Sequence, residues 1–197
     1  MVEIIRADGD SEEHAFVVMA GLGLDAKMIK NTNSKLKKAV GWLAYVDAIA
    51  RSLRDSDKAK LRIRLDDGDE RSTAVHTVIV GNCGALPGNV LLLPDAKVDD
   101  GIFDIVTLRP EGLAGWVQIW AKITWENGIL RRSSVGRKIA GMAREVRTLR
   151  YLRATRISVV LEKPQEFELD GDPFGTVAGF RARVDPLSLV VKVPPAA

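Results

Sequence analysis

The sequence predicts a mostly β fold of the α+β class, an antiparallel β-sandwich or barrel with helical insertions. Three observations carry that prediction. About eight short segments show the apolar runs or two-residue alternation of strands. The links between the C-terminal segments are short and polar, so antiparallel pairing is the default. Strand does not alternate regularly with helix, which argues against a doubly wound parallel sheet.

In chain order, "HAFVVMAG" (14–21) is a short apolar run that ends in glycine and reads as a buried strand. "GLGLDA" (21–26) turns into a helix. Residues 34–53 place Leu36, Val40, Leu43, Val46, Ala50 and Leu53 three and four apart, an amphipathic helix with Ser34 as its N-cap. "KLRIRL" (60–65) alternates strictly and forms a hairpin with a strand over 72–82 across "DDGDE". Residues 90–108 read as strand, acidic turn, strand. A second helix follows over 114–130, with Trp116, Ile119, Trp120 and Ile123 on one stripe. Segments 156–164, 166–170, 177–185 and 187–193 read as strands, joined by turns at "EKPQ" and "DGDPFG".

Composition narrows the function. The chain has 197 residues, 46% hydrophobic and 28% charged, enough to bury a core without staples. Its single cysteine, Cys83, permits no internal disulfide and fits a reducing cytosol. Two histidines and one cysteine argue against a His/Cys metal centre. No apolar run approaches the roughly 20 residues of a membrane span, and the first residues lack the pattern of a signal peptide. The net charge of +3 is uneven: residues 131–156 hold nine basic side chains and one acidic, Glu145. That block points to an anionic partner such as phosphate, an acidic membrane surface or nucleic acid, or else to a solvated connector.

Two acidic stretches are candidates for chemistry. In "EFELDGDPFG", Asp170 and Asp172 are either paired carboxylates or the polar tip of a hairpin. Asp170-Gly171 is a turn signal, while Pro173 biases Asp172 to extended backbone and argues against a simple two-residue hairpin. In "KVDDGIFD", Asp99, Asp100 and Asp104 surround Gly101, an oxygen-rich turn that suits Mg²⁺ or Ca²⁺ or merely faces solvent. No Walker phosphate loop is present, and "GLGLDA" matches only a loose dinucleotide fingerprint without a βαβ unit.

Taken in order, "AGLGLDA" (20–26), "GWLAY" (41–45), "VGN" (80–82), "LPDAKVDDGIFDI" (93–105) and "FELDGD" (167–172) resemble one family. They look like the C-terminal half of the catalytic region of bacterial diacylglycerol kinases, relatives of sphingosine and ceramide kinases. The resemblance implies the second, lipid-acceptor domain of a two-domain lipid kinase. The first domain of such kinases binds ATP and carries a Gly-Gly-Asp-Gly-Thr motif, which does not occur here. The implied reaction transfers the γ-phosphoryl of ATP to a lipid hydroxyl of the diacylglycerol kind. Asp172 falls on the proton acceptor and Asp170 on the first acid of the same motif. The implied Mg²⁺ positions fall on Lys97, Asp100 and Ile102, with Lys97 and Ile102 serving through backbone carbonyls.

One departure stands out. The family usually has glutamate where this chain has Asp172, one methylene shorter, and misplacing a catalytic group by about 1 Å can cost on the order of 10²-fold in rate. The implied partners are a lipid substrate, an anionic membrane surface and the nucleotide-binding domain of the same protein, with no nucleic acid. The implied location is cytoplasmic, peripheral to the inner face of the membrane. The chain by itself is expected not to turn over ATP. The alternative is a catalytically inactive lipid-binding or regulatory domain.

Overall fold

The computed structural model describes residues 1–23, 58–86, 90–110, 115, 118–119, 149–190 and 192. Among them twelve strands are defined: β1 (Val2–Ile5), β2 (Ser11–His14), β3 (Met19–Leu22), β4 (Ala59–Leu65), β5 (Arg71–Val75), β6 (Thr77–Gly81), β7 (Ala85–Leu86), β8 (Val90–Leu91), β9 (Phe103–Leu108), β10 (Leu149–Ala154), β11 (Arg156–Leu169) and β12 (Asp172–Arg183). Ten of these form one antiparallel sheet in the order β10-β9-β6-β3-β11-β12-β1-β2, with β4 and β5 branching from β11. β7 and β8 make a separate two-stranded ribbon.

The branch explains the sandwich-like shape. Residues 157–161 of β11 pair with β4, whereas 167–169 pair with β3. Leu61, Ile63 and Val159 from one limb meet Val80, Phe103 and Ile105 from the other in a single apolar cluster. Aromatic rings fill its centre: Phe16 stacks on Phe103 at 5.5 Å, and Phe167 tilts against Phe180 at 5.0 Å. Each such side chain, fully buried, contributes about 1.5–3 kcal/mol to folding. β6 and β9 are buried along their whole length, as central strands covered on both faces are.

The structure differs from the sequence reading at several places. The sheet is open, so the barrel alternative is not realised. The expected strand over 72–82 breaks at His76, whose N–H bonds the Leu108 carbonyl at 2.8 Å; β5 then pairs with β4, and β6 with β3 and β9. "EKPQ" is not a turn but an irregular stretch inside the 14-residue β11, between the paired residues Val160 and Gln165. Residues 149–154 of the basic segment form β10, and the hairpin of β1 and β2 adds two strands to those expected. Residues 187–190 pair with nothing in the sheet. The helical insertions expected over 34–53 and 114–130 lie outside the described residues, apart from Gly115, Gln118 and Ile119, and no helical element is defined among those described. Of the stripe on the second helix, Trp116, Trp120 and Ile123 lie outside.

Candidate functional site

The tip between β11 and β12 is a two-residue turn. Leu169 pairs with Asp172, and the turn residues Asp170 and Gly171 have φ of 51° and 90°. Both values belong to a type I′ turn, for which Asp-Gly is a favoured pair. Pro173 does not prevent it, because the strand slips at Phe174: Phe167 pairs with Gly175, but Glu168 with Pro173. Phe174 is the extra residue of this β-bulge, and Gly175 accommodates it at φ 104°. Without the slip, the same ladder would close over a three-residue loop and Asp172 would lie off the ladder.

The two acids of the tip therefore have different surroundings. Asp170 turns its carboxylate onto the backbone of 17–19, with Oδ2 accepting the Val17 N–H at 2.9 Å and Oδ1 those of Val18 and Met19 at 2.8 and 3.0 Å. Its own N–H donates to the Met19 carbonyl at 2.8 Å. Asn82 holds the same segment from the other side, its N–H donating to the Val18 carbonyl at 3.0 Å. Asp172 is exposed, and its carboxylate takes part in no hydrogen bond or ion pair with any described residue. Cys83 stands near this corner; burial, and then the charge of Asp170, push its thiol above the ordinary range, so it is a poor nucleophile at neutral pH.

Sheet register brings the second acidic stretch to the same end of the molecule. Asp170 bonds Met19, Met19 pairs with Gly81, Gly81 with Asp104, and Asp104 with Arg153. From β11 to β9 is three strand spacings, or about 14 Å. Asp104 is only 6% exposed, and its Oδ2 has no hydrogen-bond partner among the described residues. Burial pushes its carboxyl above the usual carboxylate range; Arg153 opposes the shift, while Asp100 and Asp95 add to it. Arg153 bridges two carboxylates, with Nη2 2.7 Å from Asp100 Oδ2 and Nε 3.4 Å from Asp104 Oδ1. Asp100 Oδ1 in turn accepts the Ile102 N–H at 3.1 Å. Lys97 is exposed.

The Mg²⁺ positions Lys97, Asp100 and Ile102 are thus neighbours on one loop, but the donor set fits the ion poorly. Asp100 is the sole side-chain ligand of the set, and a guanidinium already neutralises its Oδ2. The described residues contain no group of three or more Asp, Glu, His or Cys side chains arranged to hold a metal. Mg²⁺ wants an octahedral oxygen shell held through one or two carboxylates and completed by water, and the one carboxylate of this set is already paired with Arg153.

Sequence reasoning missed two parts of this corner. One is the row of amides at 17–19, which has no side-chain signature. The other is Arg153, which the basic block disguised. Arg156 of that block is likewise engaged, its Nη2 donating to both oxygens of Asp67 at 2.9 and 3.0 Å. The basic residues from 131 to 147 lie outside the described residues. Among the described residues no helix is long and apolar enough to cross a membrane.

Comparison with known proteins agrees with this architecture. A crystal structure from Bacillus anthracis str. Sterne, of a "putative diacylglycerol kinase", superposes with a TM-score of 0.54 at 19% identity, covering 94% of this chain and 53% of that one. It supports the fold. A protein of Xanthomonas euvesicatoria pv. vesicatoria (strain 85-10) named "Probable lipid kinase YegS-like" is 29% identical over 98% of this chain and 57% of its own length. A Staphylococcus epidermidis diacylglycerol kinase (strain ATCC 35984) is 30% identical over 54% of this chain and 33% of its own. The chain thus spans between a third and three-fifths of the curated relatives it matches. The family model of the YegS C-terminal NAD kinase beta sandwich-like domain matches residues 17–193. The strands from β3 onward, the Asp170–Asp172 tip and the acidic loop all fall within that match, and the chain belongs to the YegS C-terminal domain family.

Proposed function

We propose that this domain supplies the lipid-acceptor side of an ATP-dependent lipid kinase, with Asp172 as the carboxylate that takes the proton of the lipid hydroxyl. One observation carries the assignment of roles: the tip holds two acids, and only Asp172 is unengaged among the described residues. Asp170 spends both oxygens on backbone amides and acts as the residue that positions the tip. Phosphoryl transfer asks little covalent chemistry of a protein; it asks for alignment of the nucleophile and neutralisation of charge. An exposed carboxylate on the first strand residue after a two-residue turn can orient a hydroxyl and accept its proton late in the reaction. Family membership, and relatives named as lipid and diacylglycerol kinases, support this reading.

In this reading ATP is bound mainly by a nucleotide-binding domain outside the chain, and the acceptor is a diacylglycerol-like lipid presented at an anionic membrane surface. The test is ATP-dependent phosphorylation of diacylglycerol in mixed micelles by the protein carrying its nucleotide-binding domain. Lipid phosphorylation that Asp172→Asn removes is the expected result. A wild-type protein that binds such micelles but phosphorylates none of a panel of lipid alcohols contradicts the reading and favours a lipid-binding domain without activity.

A further inference from the structure

We propose that Arg153 is the resident cation of the acidic corner: its guanidinium fills the charge-neutralising place between Asp100 and Asp104 that a divalent ion would otherwise take. The inference does not depend on the kinase reading; it concerns how this corner is held together.

Three observations converge on it. Asp104 is almost wholly buried, and a buried carboxylate is stable only beside an opposite charge or a set of donors. Arg153 provides that charge from the neighbouring strand, and the same planar fork reaches Asp100 on the loop. β10 also braces the loop at a second point, where the Tyr151 hydroxyl donates to the Leu92 carbonyl at 3.1 Å. The 92–100 stretch is therefore tied to β10 by one neutral bond and one bridging cation. A Mg²⁺ bound to Asp100 would sit against a fixed positive charge, and the neighbouring carboxylate, Asp104, is held by that same guanidinium.

Removing the guanidinium should reverse this preference. Asp100 and Asp104 would then face each other without a counter-charge, and a divalent cation would be the simplest replacement. The experiment is thermal unfolding of the chain in EDTA and in excess MgCl₂, for wild type, Arg153→Met and Arg153→Lys. Wild type and Arg153→Lys should each melt at the same temperature in both buffers. Arg153→Met should melt lower in EDTA and recover by roughly 2–4 °C or more in Mg²⁺. An Arg153→Met protein that folds but does not respond to Mg²⁺ overturns the proposal. Calorimetric titration of the wild-type chain with MgCl₂ gives a second readout, independent of whether Arg153→Met folds. No binding dependent on Asp100 is expected there, and Mg²⁺ binding that Asp100→Asn abolishes overturns the proposal as well.

Discussion

The Asp170 carboxylate accepts the backbone N–H of Val18 at 2.8 Å, joining two points 152 residues apart in the chain. With the bonds to Val17 and Met19, that contact makes Asp170 the clamp between the β11–β12 tip and the segment entering β3. Its role follows from what it touches: a carboxylate committed to three amides orients backbone and has little left for substrate.

Replacing Asp170 should therefore cost stability. An asparagine in its place can adopt the left-handed turn conformation, but one oxygen becomes an NH₂ group that faces an amide donor. Hydrogen bonds to charged groups are worth about 1.5–3 kcal/mol. Asp170→Asn should lower the unfolding free energy by about 2 kcal/mol in a urea titration. An unchanged midpoint and slope would show that the three amides are satisfied equally well by solvent.

The bulge at Phe174 makes a second prediction. No atom of the described residues stands where a Cβ at Gly175 would go, so among them the objection to a side chain there is conformational alone. At φ 104° a non-glycine residue carries strain of about 1–3 kcal/mol. Gly175→Ala should lose that amount of stability, or relieve it by undoing the slip and pulling Asp172 off its pairing with Leu169. Thermal unfolding reads the first outcome. Amide exchange at the tip reads the second, as faster exchange confined to β11 and β12.

Asp66 repeats the Asp170 device at another corner, and here pH reveals it. At φ 48°, its Oδ1 accepts the Thr155 hydroxyl at 2.7 Å and the N–H groups of Thr155 and Arg156 at 2.9 Å each. The Thr155 hydroxyl bond is the largest cause that holds its carboxyl below the ordinary value; slight burial opposes it, and the two amides and the Arg156 charge add to the lowering. A depressed folded pKa stabilises above the unfolded value of about 3.9, and the benefit is lost as pH falls through the folded pKa. Wild type should therefore out-melt Asp66→Asn at neutral pH, and the gap should close in acid, where the protonated aspartate becomes an uncharged acceptor like asparagine. A gap that stays constant down to the lowest accessible pH contradicts the linkage.

Much of the sheet was legible in the chain because its strands alternate. Leu61 and Ile63 of β4 and the DG turn at 170–171 are local signals, and both lie where local rules put them. The corner was less legible because its partners are remote. Nothing near Asp100 announces Arg153, and nothing near Asp170 announces the amides of Val17 and Met19. Pro173 misled because a bulge one residue later absorbs its restriction, and a bulge is set by the ladder as a whole. "EKPQ" misled for a related reason: its proline lies in an irregular stretch of a long strand, where no ladder hydrogen bond is required of it. Residue type and spacing alone did not tell the two acids of the tip apart, and only the family resemblance did, since the physical difference between them lies in what faces each one.

The division of labour at that tip is tested most directly by Asp172→Asn in the protein with its nucleotide-binding domain, followed by both kcat and melting temperature. Asp172 is exposed and unengaged among the described residues, so the melting temperature should not move, the stability change staying within about 0.5 kcal/mol. Loss of a general base should lower kcat by roughly 10²–10⁴-fold. A variant that keeps the wild-type rate, or one that loses activity only in proportion to a loss of folded protein, would contradict the assignment of Asp172 as the proton acceptor.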